Sequence, residues 1–152
     1  MKPFKKILFP VDLSEVSPKI VPWVVMMAER FDGEIHLLFV ARKLDHYVSV
    51  YMAPEVIRNF THELIRGAKR KIEEFSKTSL RKYSNFETTV VHGDPVYEIL
   101  NYITSEGIDL VIMGTHGRKG LDRVFFGSVA ENVVKTSPVP VLTINPYRIP
   151  AA

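Results

Sequence analysis

"IDLVIMGTHGRKGLDRVFFGSVAENVVK", residues 108–135, holds the pattern that decides the fold. It opens on an apolar run, Ile108 to Met113, interrupted only by Asp109, as expected of a central parallel strand covered on both faces. Four of the chain's eight glycines follow, Gly114, Gly117, Gly120 and Gly127, interleaved with Arg118, Lys119 and Arg123. "SVAENVVK" then repeats its apolar residues at helical spacing. Strand, glycine-rich connection and helix in that order form the repeating unit of a parallel α/β domain.

The alternation extends outward in both directions. "KKILFPVD", "GEIHLLFVAR", "FETTVVHG" and "VPVLTINP" read as four further strands. Pro138 and Pro140 put the last of them at a sheet edge, because proline cannot donate to a ladder. "SPKIVPWVVMMAERF" reads as a helix with Ser17 at its N-cap and Pro18 in its first position. Pro22 lacks the N–H that would reach residue 18, which predicts an irregular first turn. From Pro54 to about Tyr83, an apolar stripe runs through Val56, Phe60, Leu64, Ala68, Ile72 and Phe75. "DPVYEILNYITSEG" gives a helix capped by Asp94 and ended by Gly107, and "SVAENVVKTS" a last one. The expected fold is α/β: a parallel sheet with helices on both faces, joined by right-handed crossovers. Residues 42–53, "RKLDHYVSVYMA", fit neither period and read as a functional loop or an interface.

At 152 residues the chain is expected to form one domain, residues 1–152. Its 46% apolar and 24% charged composition is that of a globular protein. Without cysteine it has no disulfide and no thiolate metal site. The five histidines form no ligand pattern, and "HELIR" lacks the second histidine of H-E-x-x-H. No run approaches the ~18 apolar residues of a membrane span. The apolar run after Lys5 and Lys6 is too short for a signal peptide, so a cytoplasmic protein is expected. The net charge is +3, much of it in "RGAKRKIEEFSKTSLRK". Glu73 and Glu74 interrupt that run and no aromatic residues interleave it, which favours a solvated helix face over a nucleic-acid surface.

Ligands of open parallel sheets bind beyond the carboxyl ends of the strands, where neighbouring connections diverge. Gly114 and Gly117 would let backbone N–H groups approach an anion there, and Gly127–Ser128 begin a helix whose free N–H groups suit phosphate. A ligand-free reading stands beside this one. Ser128 with Glu131 makes an S-x-x-E capping box, and the glycines can simply make turns. "GTHGRKGL" is no P-loop, and "FPVDLSE" has no dinucleotide glycines. Asp12, at the end of the first strand, could accept from ribose hydroxyls or cap a helix as D-x-x-E.

Gly114, Gly117, Gly127 and Ser128 match G-x2-G-x9-G-[S/T], and "PVDLSE", "HLLFV", "HGDP" and "SPVPVLTI" fall around it in order. In these the whole chain resembles the ATP-binding branch of the universal stress protein family. The resemblance implies a single Rossmann-like (adenine nucleotide alpha hydrolase-like) domain, with a five-stranded parallel sheet of order 3-2-1-4-5. It also implies a homodimer through the last strand, Val139 to Ile144. Asp12 would bind ribose and the Val40 backbone the adenine, with Pro10 and Val11 lining the base pocket. Met113, Gly114, His116, Gly117 and Arg118 would flank the phosphates, and Gly127, Ser128 and Val129 would complete the cradle. ATP is the expected ligand, with magnesium or manganese an optional companion held mainly by its phosphates. Pro22, Trp23 and the apolar "YVSVYM" depart from the family pattern and leave the pocket motif intact.

No obvious base accompanies the cradle, since Asp12 is committed to the nucleoside. The leading functional expectation is an ATP-binding regulatory or stress-response protein with little or slow hydrolysis. An ATP-using enzyme (a weak ATPase or adenylyl-type transferase) and a dimeric interaction module with an empty pocket remain the alternatives.

Overall fold

Each apolar run becomes a strand because alternate residues can be buried on opposite faces of one sheet. In the computed structural model, which describes residues 3–44, 46–116 and 127–149, the strands are β1 (Lys6–Pro10), β2 (Glu34–Arg42), β3 (Phe86–Gly93), β4 (Leu110–Gly114) and β5 (Val141–Ile144). All neighbours are parallel and the order is β3-β2-β1-β4-β5, as the resemblance implies. The helices are α1 (Ser17–Phe31), α2 (His46–Val50), α3 (Pro54–Ser79), α4 (Pro95–Glu106) and α5 (Ser128–Thr136).

The two faces bury two apolar layers. Ile7, Phe9, Ile35, Leu37 and Ile112 face α1 and α3, meeting Ile20, Val24, Ala28 and Ile72. Leu8, Leu38, Val111 and Met113 face α4 and α5, meeting Ile99, Ile103, Ala130 and Val133. Burial of a side chain of this size contributes ~1.5–3 kcal/mol, so both layers stabilise the sheet and the helices packed on it. The consequence for function is topological. From β1 the chain leaves to α1 on one face, and from the adjacent β4 it leaves to α5 on the other, which opens a crevice between their carboxyl ends.

Several local expectations hold. The Asp94 side chain accepts from the Tyr97 N–H at 2.9 Å, and Gly107 ends α4 at φ +65°. β5 lies at the sheet edge, where Pro140 contributes only its carbonyl, accepting from the Val111 N–H at 3.0 Å. In the first turn of α1 the Lys19 N–H reaches the Val16 carbonyl (3.0 Å), a tight i→i−3 bond, and the helix then runs through Pro22.

Others are corrected. Val16, not Ser17, occupies the N-cap of α1, and the Ser17 hydroxyl donates to Asp12 Oδ1 at 2.9 Å instead. The Ser128–Glu131 capping box does not form. Gly127 takes the N-cap, Ser128 is the first helical residue, and the Glu131 carboxylate pairs with Lys135 Nζ at 2.6 Å. The long helix stops at Ser79, short of Tyr83. Within residues 42–53, Arg42 ends β2 and His46–Val50 form α2. No described helix is long and apolar enough to cross a membrane.

Candidate functional site

The crevice is built from three strand ends. Beyond β1, the Val11 N–H still donates to the Leu38 carbonyl (2.9 Å), and the chain then turns sharply at Asp12 and Leu13. Leu13 sits at φ +56°, a left-handed conformation that costs a branched L-residue roughly 1–2 kcal/mol. Asp12 holds that turn, its Oδ1 accepting from the Ser14 N–H (3.0 Å) and the Ser17 hydroxyl (2.9 Å). These bonds fix the carboxylate at the crevice and replace the D-x-x-E cap as its structural role.

Beyond β4, Thr115 anchors the glycine-rich segment at both ends. Its N–H donates to the Ile144 carbonyl (2.9 Å), and its carbonyl accepts from the Gly127 N–H at 2.7 Å. The end of β4 and the start of α5 are thereby side by side. Among the described residues no side chain caps α5, and its first internal bond runs from the Glu131 N–H to the Gly127 carbonyl (3.0 Å). The N–H groups of Ser128, Val129 and Ala130 consequently have no acceptor inside the helix. They carry the positive end of its dipole.

His116 is oriented by its surroundings. Its Nδ1 lies 2.8 Å from Thr115 Oγ1, and Tyr147 meets its ring edge-on with centroids 5.9 Å apart. Lys19 Nζ in turn lies 5.5 Å from the Tyr147 ring centroid, within cation–π range.

Between these elements lies a cavity of about 1050 Å³. Pro10, Val11, Asp12, Val40, Met113, Gly114, His116, Gly127, Ser128 and Val129 all line it. Gly117 and Arg118 lie outside the described residues. Sequence reasoning missed an entire wall, formed by Glu63, Leu64, Gly67, Ala68 and Lys71 of α3, together with Arg42 and Thr115. One signal for that wall was present: a glycine in the middle of a long helical stripe, where it weakens the helix.

The two described cradle glycines differ in what demands them. A Cβ on Gly114 would lie 3.2 Å from the His116 carbonyl oxygen, a tight fit that gives this glycine a packing reason. Gly127 has φ −60° and ψ 149°, open to any residue, and among the described residues its Cβ would touch only the Thr115 carbonyl, at an ordinary 3.4 Å. Neither the backbone nor packing against the described residues demands glycine at 127.

Burial, reinforced by Glu87 and Glu106, pushes the Tyr102 hydroxyl well above its usual range, although its bond to Thr89 pulls the other way. Burial, then Asp32 and Glu29, raises Tyr83. Neither tyrosine lines the cavity, so these shifts mark packing rather than an acid or base at the site. No cluster of three or more His, Asp or Glu is placed to hold a metal among the described residues.

Residues 3–145 match the model of the universal stress protein family. Universal stress protein MJ0577 of Methanocaldococcus jannaschii is 32% identical over 93% of this chain and 94% of that one. A solved structure of MJ0577 superposes with a TM-score of 0.81 at 31% identity, covering 95% of this chain and 97% of that one. YxiE of Bacillus subtilis is 29% identical over 93% of this chain and 99% of its own. A family member from Arabidopsis thaliana, solved with AMP bound, shares the fold at a TM-score of 0.63 and 21% identity, over 93% of this chain and 91% of that one. With the family pattern spanning nearly its whole length, the chain belongs to the universal stress protein family.

Proposed function

We propose that this protein binds ATP in the crevice and serves a regulatory, stress-response role with little or slow hydrolysis. The observation that carries the reading is the start of α5: among the described residues no side chain caps this helix N-terminus and no packing requires the glycine before it, and both line a large cavity. AMP in the Arabidopsis relative supports an adenine nucleotide as the ligand class.

The chemistry of the walls supports one orientation of the nucleotide. The Val40 backbone would meet the adenine, with Pro10, Val11 and Met113 as apolar walls. Asp12, an acceptor-only group when ionised, suits the ribose hydroxyls. The N–H groups of Ser128 and Val129, with Gly114, His116, Gly117 and Arg118, would hold the phosphates, which would themselves coordinate most of any magnesium or manganese. Bound nucleotide would alter the surface offered to partners. Asp12 is already engaged by Ser14 and Ser17, which leaves it poorly suited to activate water and favours slow turnover. The exposed edge of β5, with Leu142 outward, is the proposed homodimer seam in a cytoplasmic protein.

Calorimetric titration with ATP tests the reading. Wild-type protein should bind, and Gly127→Val should lose at least about tenfold in affinity while melting as a folded protein. No binding by wild type, or equal binding by the folded variant, contradicts it.

A further inference from the structure

Gly67 is the second glycine whose identity packing among the described residues does not explain. It lies inside α3, where glycine weakens a helix relative to alanine, and its φ lies outside the left-handed region. Beyond its own stretch of helix, a Cβ there would meet no heavy atom of the described residues within 4 Å. Glu63 and Lys71, four residues to either side and therefore on the same helix face, line the cavity with it. The open space at Gly67 thus belongs to the crevice.

Topology says which end of the crevice this is. α3 packs on β2 and β3, on the side of β1 away from β4 and α5. The α3 wall therefore stands next to Val40, Ala41 and Arg42, across the cavity from the helix N-terminus that suits phosphate. We infer that Gly67 sets the depth of the nucleoside end of the site: the missing side chain leaves the volume that the base and ribose occupy, and makes Gly67 a specificity-determining position for the size of the nucleoside. This inference rests on the nucleotide reading above.

Adenosine and ATP separate the two ends, because only ATP carries phosphates. Both ligands are titrated into wild type, Gly67→Ala, Gly67→Leu, Gly67→Gln and Gly127→Val, and each protein is melted. Gly67→Leu and Gly67→Gln should weaken adenosine and ATP by the same factor, at least about tenfold. Gly67→Gln repeats the test without an added apolar side chain, so a folding defect peculiar to Gly67→Leu cannot decide the outcome. Gly67→Ala should raise the melting temperature, and Gly127→Val should weaken ATP while leaving adenosine within about twofold. If wild type binds both ligands and the folded Gly67→Gln variant binds adenosine as tightly, the inference is overturned and the nucleotide reading stands. A lower melting temperature for Gly67→Ala also overturns it, since the space would not be open. If wild type binds neither ligand, inference and reading fall together.

Discussion

The two ends of the sheet are built differently. At the amino end, polar groups find partners within the chain. Asp109 Oδ2 accepts from the Lys5 and Lys6 N–H groups, both at 3.0 Å, and the Tyr83 hydroxyl and Asn85 amide donate to the Gly33 carbonyl. Lys6 Nζ donates to the Glu106 carbonyl at 3.0 Å. Gly33 is demanded by packing, since its Cβ would fall 2.8 Å from the Phe4 carbonyl oxygen. At the carboxyl end a helix starts without a side-chain cap among the described residues, and Gly67 and Gly127 line a large cavity. One end is closed by the chain itself; the other is open, and is where the proposed nucleotide would bind.

The contrast breaks most readily at the amino end. Gly33→Ala should destabilise by about 1–3 kcal/mol in urea unfolding, because backbone must move to admit the methyl group. A cost near zero would mean that this end is less tightly closed than it looks. Asp109→Ala should cost a similar ~1–3 kcal/mol by leaving two amides without their acceptor, with no effect on nucleotide affinity. At the carboxyl end the signature is reversed: Gly127→Val costs about tenfold in ATP affinity, about 1.4 kcal/mol, with much less effect on unfolding. The smallest effect sharpens the picture most. Ser128→Ala should change stability by less than about 0.5 kcal/mol, because Ser128 makes no cap bond, whereas loss of a working cap would cost ~1 kcal/mol.

Most of the fold is legible in the sequence because its signals are local. The central strands β1 and β4 are largely apolar runs, and Asp94 and Gly107 mark the ends of α4 by their own chemistry. The resemblance adds the strand order, which local patterns do not contain. Errors arise where a distant residue outbids a neighbour. Ser17 has the position and chemistry of a cap, yet its hydroxyl goes to Asp12. Ser128 and Glu131 have the spacing of a capping box, yet Thr115 holds Gly127 in the cap position and shifts the register by one. α2 has five residues, too few for a period to be read. The α3 wall could not be seen because Gly67 comes to line the same cavity as Val40 and Asp12 only by tertiary packing. Its single trace in the sequence, a glycine within a helix, fits many causes.

The most direct test follows backbone amides. In a nitrogen–proton correlation spectrum, ATP should shift the amide resonances of Ser128, Val129 and Ala130 strongly, while adenosine at saturation leaves them nearly unmoved. ATP that binds tightly with those three amides undisturbed would show that the helix N-terminus is not where the phosphates lie.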